Sequence, residues 1–221
     1  GEEQNDEQFL LFFDGKYKIN ELNTKYGKTL DELNVDAVIV SEAGTLITVK
    51  QILPEMKIHL SNVSNVYNYE TANFWHEQGV DRVVISRELS IKEMETMRLN
   101  TPESLELEAY VHGPVIMSYS GRKLITSYLE SKGKDNYSSK KKYNLTEEKR
   151  QGQYSPVYED EAGTIFFASR DLCMIEYLDK FIRAGVSTLT IEARLNDEKY
   201  VREVVPVYRK AIDDFYNNNF E

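Results

Sequence analysis

Cysteine is nearly absent from this chain: one residue, Cys173, in 221. A single thiol excludes an internal disulfide and any metal site built only from cysteines. Long apolar runs are absent too. The longest, "FLLFF" (9–13), is far short of the roughly 20 residues that cross a bilayer. The opening "GEEQNDEQ" is acidic and polar, unlike a secretory leader. The expectation is therefore a cytoplasmic protein without a membrane partner. Histidine is scarce, with only His59, His76 and His112. HExxH, GxSxG, P-loop and GxGxxG motifs do not occur.

Positive charge is in deficit, with 27 Lys and Arg against 37 Asp and Glu, a net −10. Such a field repels nucleic acid at long range. One stretch opposes it: "SKGKDNYSSKKK" (131–142) holds five lysines against Asp135. It reads either as a solvated loop or as a phosphate-binding patch with Lys140, Lys141 and Lys142 at its end.

What the chain does have is a repeating pattern. "NVDAVIV" (34–40), "GVDRVVIS" (79–86) and "GVSTLTIEAR" (185–194) each place Gly or Asn, then Val, a polar residue and an apolar run. Helices end this way before buried strands begin. "KIHLS" (57–61), "LELEAYVHG" (105–113) and "FLLFF" supply further strands. Helices are expected over 68–79, 90–99, 170–185 and 197–216, the last kinked or divided at Pro206. Strands alternating with helices predict an α/β fold with a parallel, (β/α) TIM-barrel-like sheet. The strands number fewer than the eight of a closed barrel, so the chain is a fragment, the barrel is open, or a partner completes it. "QYSPVYEDEAGTIFFAS" predicts a hairpin turning at Glu161-Ala162-Gly163. The expected organisation is a partial element over 1–30, βα units over 31–130, a Lys-rich insertion with the hairpin over 131–165, and a final βα unit over 166–221.

In such a sheet the apolar face of each strand meets the helices. Leu105, Leu107, Ala109 and Val111 then face outward, and Glu106, Glu108, Tyr110 and His112 face inward. Glu192 and Arg194 on the last strand, and His59 and Ser61 on "KIHLS", point the same way. Buried charge needs partners or a ligand. Glu108, His112, Glu192 and Arg194 are therefore the candidate catalytic set. The alternative is an internal Glu–Arg pair with a hydrogen-bonded histidine. Asn62 and Arg87, with Ser41, Glu42 and Glu88, follow strands and either line a site or cap helices. His59, Glu108 and His112 would form a two-histidine, one-carboxylate metal triad only if their strands converge. Cys173 is expected as a small buried apolar residue on the 170–185 helix rather than a nucleophile.

"EAYVHGPVIMSYSGRK" (108–123) resembles the signature of the collagenase-like peptidase family U32. That signature reads Glu-x-Phe-x-His-Gly-Ala-Leu-Cys, two residues, then Tyr-Ser-Gly-Arg-Cys. Glu108, Tyr110, His112, Gly113, Tyr119, Ser120, Gly121 and Arg122 fit it. "DAVIVSEAG", "IHLSNVSNVYN", "RVVISREL", "SPVYEDEAGTIFFASRDLCMIEYL" and "IEARLNDEKYVREVVPVYRKAID" look like further blocks of the family. The resemblance implies a barrel-like core that is incomplete at the N-terminus, the family's first strands preceding this chain's start, and adds Tyr119, Ser120 and Arg122 to the substrate-binding candidates. It also implies, in relatives, an iron–sulfur cluster held by four cysteines. Here Ile116 and Lys123 stand at two of those positions, and 131–145 holds no cysteine, so no cofactor is expected in this chain. The family includes proteases and RNA-hydroxylation proteins. This chain looks like a cysteine-poor member that hydroxylates the tRNA wobble uridine with a cysteine-bearing paralogue. The alternatives are a peptidase acting on peptide substrates and a non-catalytic binding barrel.

Overall fold

The computed structural model describes residues 10–13, 35–133, 142–146, 148–149, 151–193 and 196–217. The chain forms two compact units. The first comprises Gly1–Tyr110 with Tyr177–Thr190, the second Val111–Glu176 with Ile191–Glu221.

The first unit is built on parallel strands. β1 (Leu10–Phe13), β2 (Ala37–Val40), β3 (Lys57–Leu60), β4 (Arg82–Val84) and the first part of β5 (Glu106–Gly113) lie side by side in chain order. Every neighbouring pair among them is parallel. β11 (Thr188–Ile191) pairs with β5. The peptide N–H of Ser187 donates to the Leu107 carbonyl beside it (2.9 Å). Each parallel strand beside its predecessor is the order of a βα-barrel wall, so the α/β class and barrel-like sheet expected from the sequence are present.

Helices α1 (Ala43–Ile52), α2 (Tyr69–Glu77) and α3 (Ile91–Leu99) make the crossovers. Each starts where a side chain satisfies the free amides of its first turn. Glu42 accepts from Gly44 and Thr45, Asn68 accepts from Thr71, and Ser90 forms a capping box with Glu93. Glu42 is thus a helix cap. Gly79 and Gly185 adopt left-handed backbone (φ 86° and 80°) between helix and strand, as the repeating pattern predicts. Cross-strand neighbours share a face. One face carries Val40, Leu60, Val83 and Leu107 in register, all buried, and forms the apolar core. The other carries His59, Arg82 and Glu106 in one row. The inward face is polar, as the alternation in "LELEAYVHG" implies.

The second unit contains an antiparallel sheet ordered β6 (Ile116–Ser120), β9 (Gly163–Phe167), β8 (Tyr154–Asp160), β7 (Lys142–Thr146). The hairpin turns at the expected Glu161-Ala162, with Asp160 paired to Gly163. β6, β7 and helix α4 (Leu124–Ser131) were not expected. β6 and β7 are edge strands; the partner of β6 lies more than forty residues away, and β7 begins at the end of a lysine-rich stretch. Edge strands carry little apolar alternation and often carry charge, so they leave a weak local signal.

Three further expectations are corrected. The helix expected over 170–185 begins only at Leu178. Before it come β10 (Leu172–Cys173), antiparallel to the end of β5, and a 3₁₀ turn at Ile175–Tyr177; α5 is Leu178–Arg183. Cys173 is exposed on β10 rather than buried on a helix. The C-terminal helix α6 (Glu198–Tyr216) continues through Pro206. Proline removes one amide donor there, but its turn is exposed and water can satisfy the freed carbonyl.

Glu159 holds the second unit's helix to its sheet. Its carboxylate is buried and accepts from the Ile125 amide (2.7 Å), the Thr126 amide (2.9 Å), the Thr126 hydroxyl and the Thr164 hydroxyl (2.6 Å). A carboxylate at a helix N-terminus satisfies orphan amides and meets the positive end of the helix dipole. Burial alone would raise its pKa, but these donors outweigh burial and hold it below the usual value. A depressed carboxylate stabilises the fold above the unfolded pKa and loses that contribution as pH falls through the folded one. Glu159→Gln is expected to cost about 1–3 kcal/mol at pH 7. The gap to wild type should close below about pH 4, as urea titrations at several pH values would show.

Candidate functional site

The candidate residues fall into two clusters, one in each unit. In the first, Arg82 opens β4 with its side chain on the inward face, buried. Its guanidinium reaches Glu106 (Nη2–Oε2 2.5 Å, Nε–Oε2 2.6 Å) and the buried Glu108 (Nη1–Oε2 3.5 Å). The second Glu108 oxygen accepts from the Thr190 hydroxyl on β11 (2.5 Å). One hydroxyl hydrogen bond and one charge-assisted contact with Arg82 therefore hold this carboxylate in the interior. Asp81 sets the strand ends below it: its carboxylate accepts from the Ile58 amide and its own amide donates to the Ile58 carbonyl, both at 2.8 Å.

His59 stands beside Arg82 in register and is buried. Its Nδ1 has no hydrogen-bond partner. Burial, aided by the Arg82 charge, pushes its pKa down to about 4. It is a neutral imidazole at physiological pH. Ser61 is buried, and its hydroxyl donates to Asn62 (3.3 Å) at the start of a 3₁₀ turn. Arg87 lies half-buried over the Tyr110 ring, 5.3 Å from its centroid.

In the second unit the centre is His112, half-buried near the end of β5. Its Nδ1 lies 3.1 Å from the Tyr208 hydroxyl of α6. That hydroxyl donates its one proton to the Val111 carbonyl (2.9 Å) and accepts from the Met174 amide (3.3 Å). It must therefore accept from His112, which fixes the proton on Nδ1 and leaves the Nε2 lone pair for other use. Burial lowers the pKa of His112, with Asp171 opposing it. Tyr200 packs against the imidazole at 5.8 Å and donates to Asp171 (3.3 Å). Burial, followed by Asp171, raises the pKa of Tyr200, and burial raises that of Tyr208. Cys173 sits directly across the strand pair from His112. The Glu192 amide donates to the His112 carbonyl (2.8 Å). The Glu192 carbonyl also lies where a Cβ at Gly113 (φ 110°) would collide with it, so only glycine fits there.

The signature residues past β5 belong to the small sheet. Tyr119 is 51% exposed and donates to the Ala162 carbonyl (2.9 Å). The Ser120 hydroxyl accepts from the Arg122 amide (3.2 Å). The Arg122 carbonyl lies 2.8 Å from the Thr164 hydroxyl, and the Arg122 side chain is exposed. Lys142 is exposed on β7, with Nζ 5.2 Å from the Tyr158 ring centroid. Arg194, Lys140 and Lys141 lie outside the described residues.

Arg82, Thr190, Tyr200, Tyr208 and Asp171 are additions to the expected set. Arg82 is legible in hindsight, since "DRVV" puts a charge at the first inward position of a strand. The tyrosines gave no local signal, because Tyr208, which meets the His112 ring nitrogen, lies 96 residues further along the chain. The metal triad of His59, Glu108 and His112 does not form. Among the described residues, no three His, Cys, Asp or Glu side chains come close enough to hold a metal ion. At the positions where the signature has cysteines, Ile116 has no ligand atom and Lys123 pairs with Glu161 (2.8 Å). These residues do not fit an iron–sulfur cluster. Among the described residues, no helix is long and apolar enough to cross a membrane.

This is a parallel βα protein with a polar inward strand face and a histidine centre following it. The profile of Peptidase family U32 matches residues 13–221, and the chain belongs to that family. It is 34% identical to tRNA hydroxylation protein P2 of Bacillus subtilis, over 92% of this chain and 66% of that protein. It is 33% identical to tRNA hydroxylation protein P of Escherichia coli, over 85% of this chain and 51% of that protein. The chain thus spans about half to two-thirds of the length of these relatives. A U32 peptidase of solved structure superposes with a TM-score of 0.44 at 15% identity, over 84% of this chain and 69% of that one.

The His59 environment predicts a pH dependence. A histidine whose folded pKa is depressed adds nothing above its unfolded value near 6.5, and its burial costs stability as pH falls from there to about 4. The loss attributable to this residue is on the order of 3 kcal/mol across that window. His59→Asn should flatten that part of a stability-versus-pH curve measured by chemical denaturation.

Proposed function

We propose that this chain is part of a tRNA-hydroxylation protein that acts on the wobble uridine together with a cysteine-bearing paralogue. The observation that supports it most is the match to named tRNA hydroxylation proteins at 33–34% identity over most of this chain. His112 would serve as the proton-handling group through Nε2, with Tyr208 fixing its tautomer. The Arg82–Glu108–Thr190 cluster would bind and orient polar groups of the substrate. Glu192, whose amide donates to the His112 carbonyl, remains a candidate, as does Arg194. The partner is inferred from the ligand positions: Ile116 and Lys123 cannot supply thiolates, so cluster chemistry would fall to another chain.

A peptidase reading has one observation behind it, the placement of Cys173 opposite His112. If that pair were a nucleophile and its base, Cys173→Ser would abolish peptide turnover by the purified protein and leave tRNA modification unchanged. Under the hydroxylation reading, the same substitution leaves tRNA modification intact and there is no turnover to lose.

The test is nucleoside mass spectrometry of tRNA from cells lacking their own hydroxylation genes. Expression of the full-length protein with a cysteine-bearing relative should restore 5-hydroxyuridine-derived nucleosides; expression alone should not. His112→Ala should abolish the restoration. No restoration in either combination overturns the hydroxylation reading, and restoration by this protein alone overturns the partner.

A further inference from the structure

The four-stranded sheet of the second unit has two unlike faces. Ser120, Thr164 and Glu159 align across β6, β9 and β8 on one face, and Phe166, Val157 and Tyr143 follow on that face. Thr164, Glu159 and Val157 are buried, and Glu159 ties α4 to this side. The opposite face carries Tyr119, Ile165, Tyr158 and Lys142 in one unbroken cross-strand row over all four strands. Tyr154 lies on the same face, four residues before Tyr158 on β8. Tyr119 is 51% exposed and Tyr154 57%.

Charge separates the segment that carries this sheet from the rest of the chain. Residues 116–167 contain nine Lys and Arg against seven Asp and Glu, a net +2 in a chain whose net is −10. The acids nearest the row are engaged elsewhere. Asp160 accepts from the Ala162 amide (2.7 Å), and Glu161 pairs with Lys123. Lys142 ends the row, and the lysine-rich stretch runs directly into it in sequence. Flat aromatic rings spaced across strands, with cations at the edge, suit unpaired nucleotides: bases stack on the rings and phosphates meet the lysines. A protein partner could also use the rings, but the cores of protein–protein interfaces are depleted in lysine, which ends this row.

We infer that the Tyr119–Ile165–Tyr158–Lys142 face is a single-stranded RNA-binding surface, with Tyr119 and Tyr154 as stacking platforms and Lys142 as a phosphate contact. This rests on the hydroxylation reading and assigns the surface that would hold the RNA, apart from the His112 and Arg82 clusters.

The experiment is fluorescence anisotropy with the full-length protein. The probes are a labelled anticodon stem-loop RNA, an unstructured oligouridine and a perfect RNA duplex, each at several salt concentrations. Tyr119→Ala and Tyr154→Ala should each weaken binding of the two RNAs with unpaired bases by about 5- to 50-fold, with Tyr119→Phe close to wild type. Lys142→Glu should weaken binding and reduce the salt slope by about one. The duplex should bind weakly and be insensitive to the tyrosine substitutions. Unchanged RNA affinity in both tyrosine variants, or no RNA binding by the wild type at low salt, overturns the inference. So does equal loss of duplex and single-strand binding. Unchanged RNA affinity with altered self-association in sedimentation would assign the face to a protein partner instead. tRNA modification in cells is scored separately, so a face that fails this test leaves the hydroxylation reading standing or falling on its own result.

Discussion

The buried guanidinium of Arg82 is the interaction on which the first unit's interior depends. A βα sheet buries both faces of its strands, and the inward face normally carries branched apolar side chains. Here that face carries an imidazole, a guanidinium and two carboxylates. Such a row is stable only if the charges compensate one another. Arg82 does this from the first position of β4, reaching Glu106 at the wetter end and Glu108 deeper in. Its charge also presses on His59 and helps keep that imidazole neutral. Thr190 completes the shell of Glu108 from the neighbouring strand. The polarity of the interior is thus organised, and a solvated strand surface would need no such partners.

The second unit uses different physics around His112. There the imidazole is set by neutral hydrogen bonds and aromatic packing. Tyr208 commits its only proton to a backbone carbonyl and so imposes a tautomer on the histidine. The α6 helix that brings Tyr208 and Tyr200 to His112 is otherwise a solvated surface helix, laced with i,i+4 ion pairs such as Arg202–Glu198 and Arg209–Asp213. Those exposed pairs contribute little individually. The ordering of the histidine comes from one buried hydroxyl.

Much of the parallel sheet was legible because its signals are local. Gly before Val before an apolar run marks a helix-to-strand passage, and Gly79 and Gly185 take the backbone that reading requires. The alternation in "LELEAYVHG" placed Glu108 and His112 on one strand face. What the sequence concealed was partnership. The 170–185 segment has helical periodicity throughout, but its first part is drawn into a strand by pairing with β5. β6 and β7 are defined by neighbours in the small sheet rather than by their own composition. Pro206 marks a break by propensity, yet on an exposed turn the helix absorbs it. Arg82 lay inside an apparently apolar strand, so the partner of Glu108 proved to be a residue 26 positions upstream. Cys173, read as an apolar filler, is exposed because its segment is a short strand.

A double-mutant cycle on Arg82 and Glu108 tests the organising role of this pair most directly. Unfolding free energies would be measured for Arg82→Met, Glu108→Leu and the combination. Removing Arg82 alone leaves a buried carboxylate without its cation and should cost about 3–5 kcal/mol. The double variant should recover part of that loss, with a coupling of about 1–3 kcal/mol. Strictly additive costs, or an Arg82→Met protein as stable as wild type, would contradict the account.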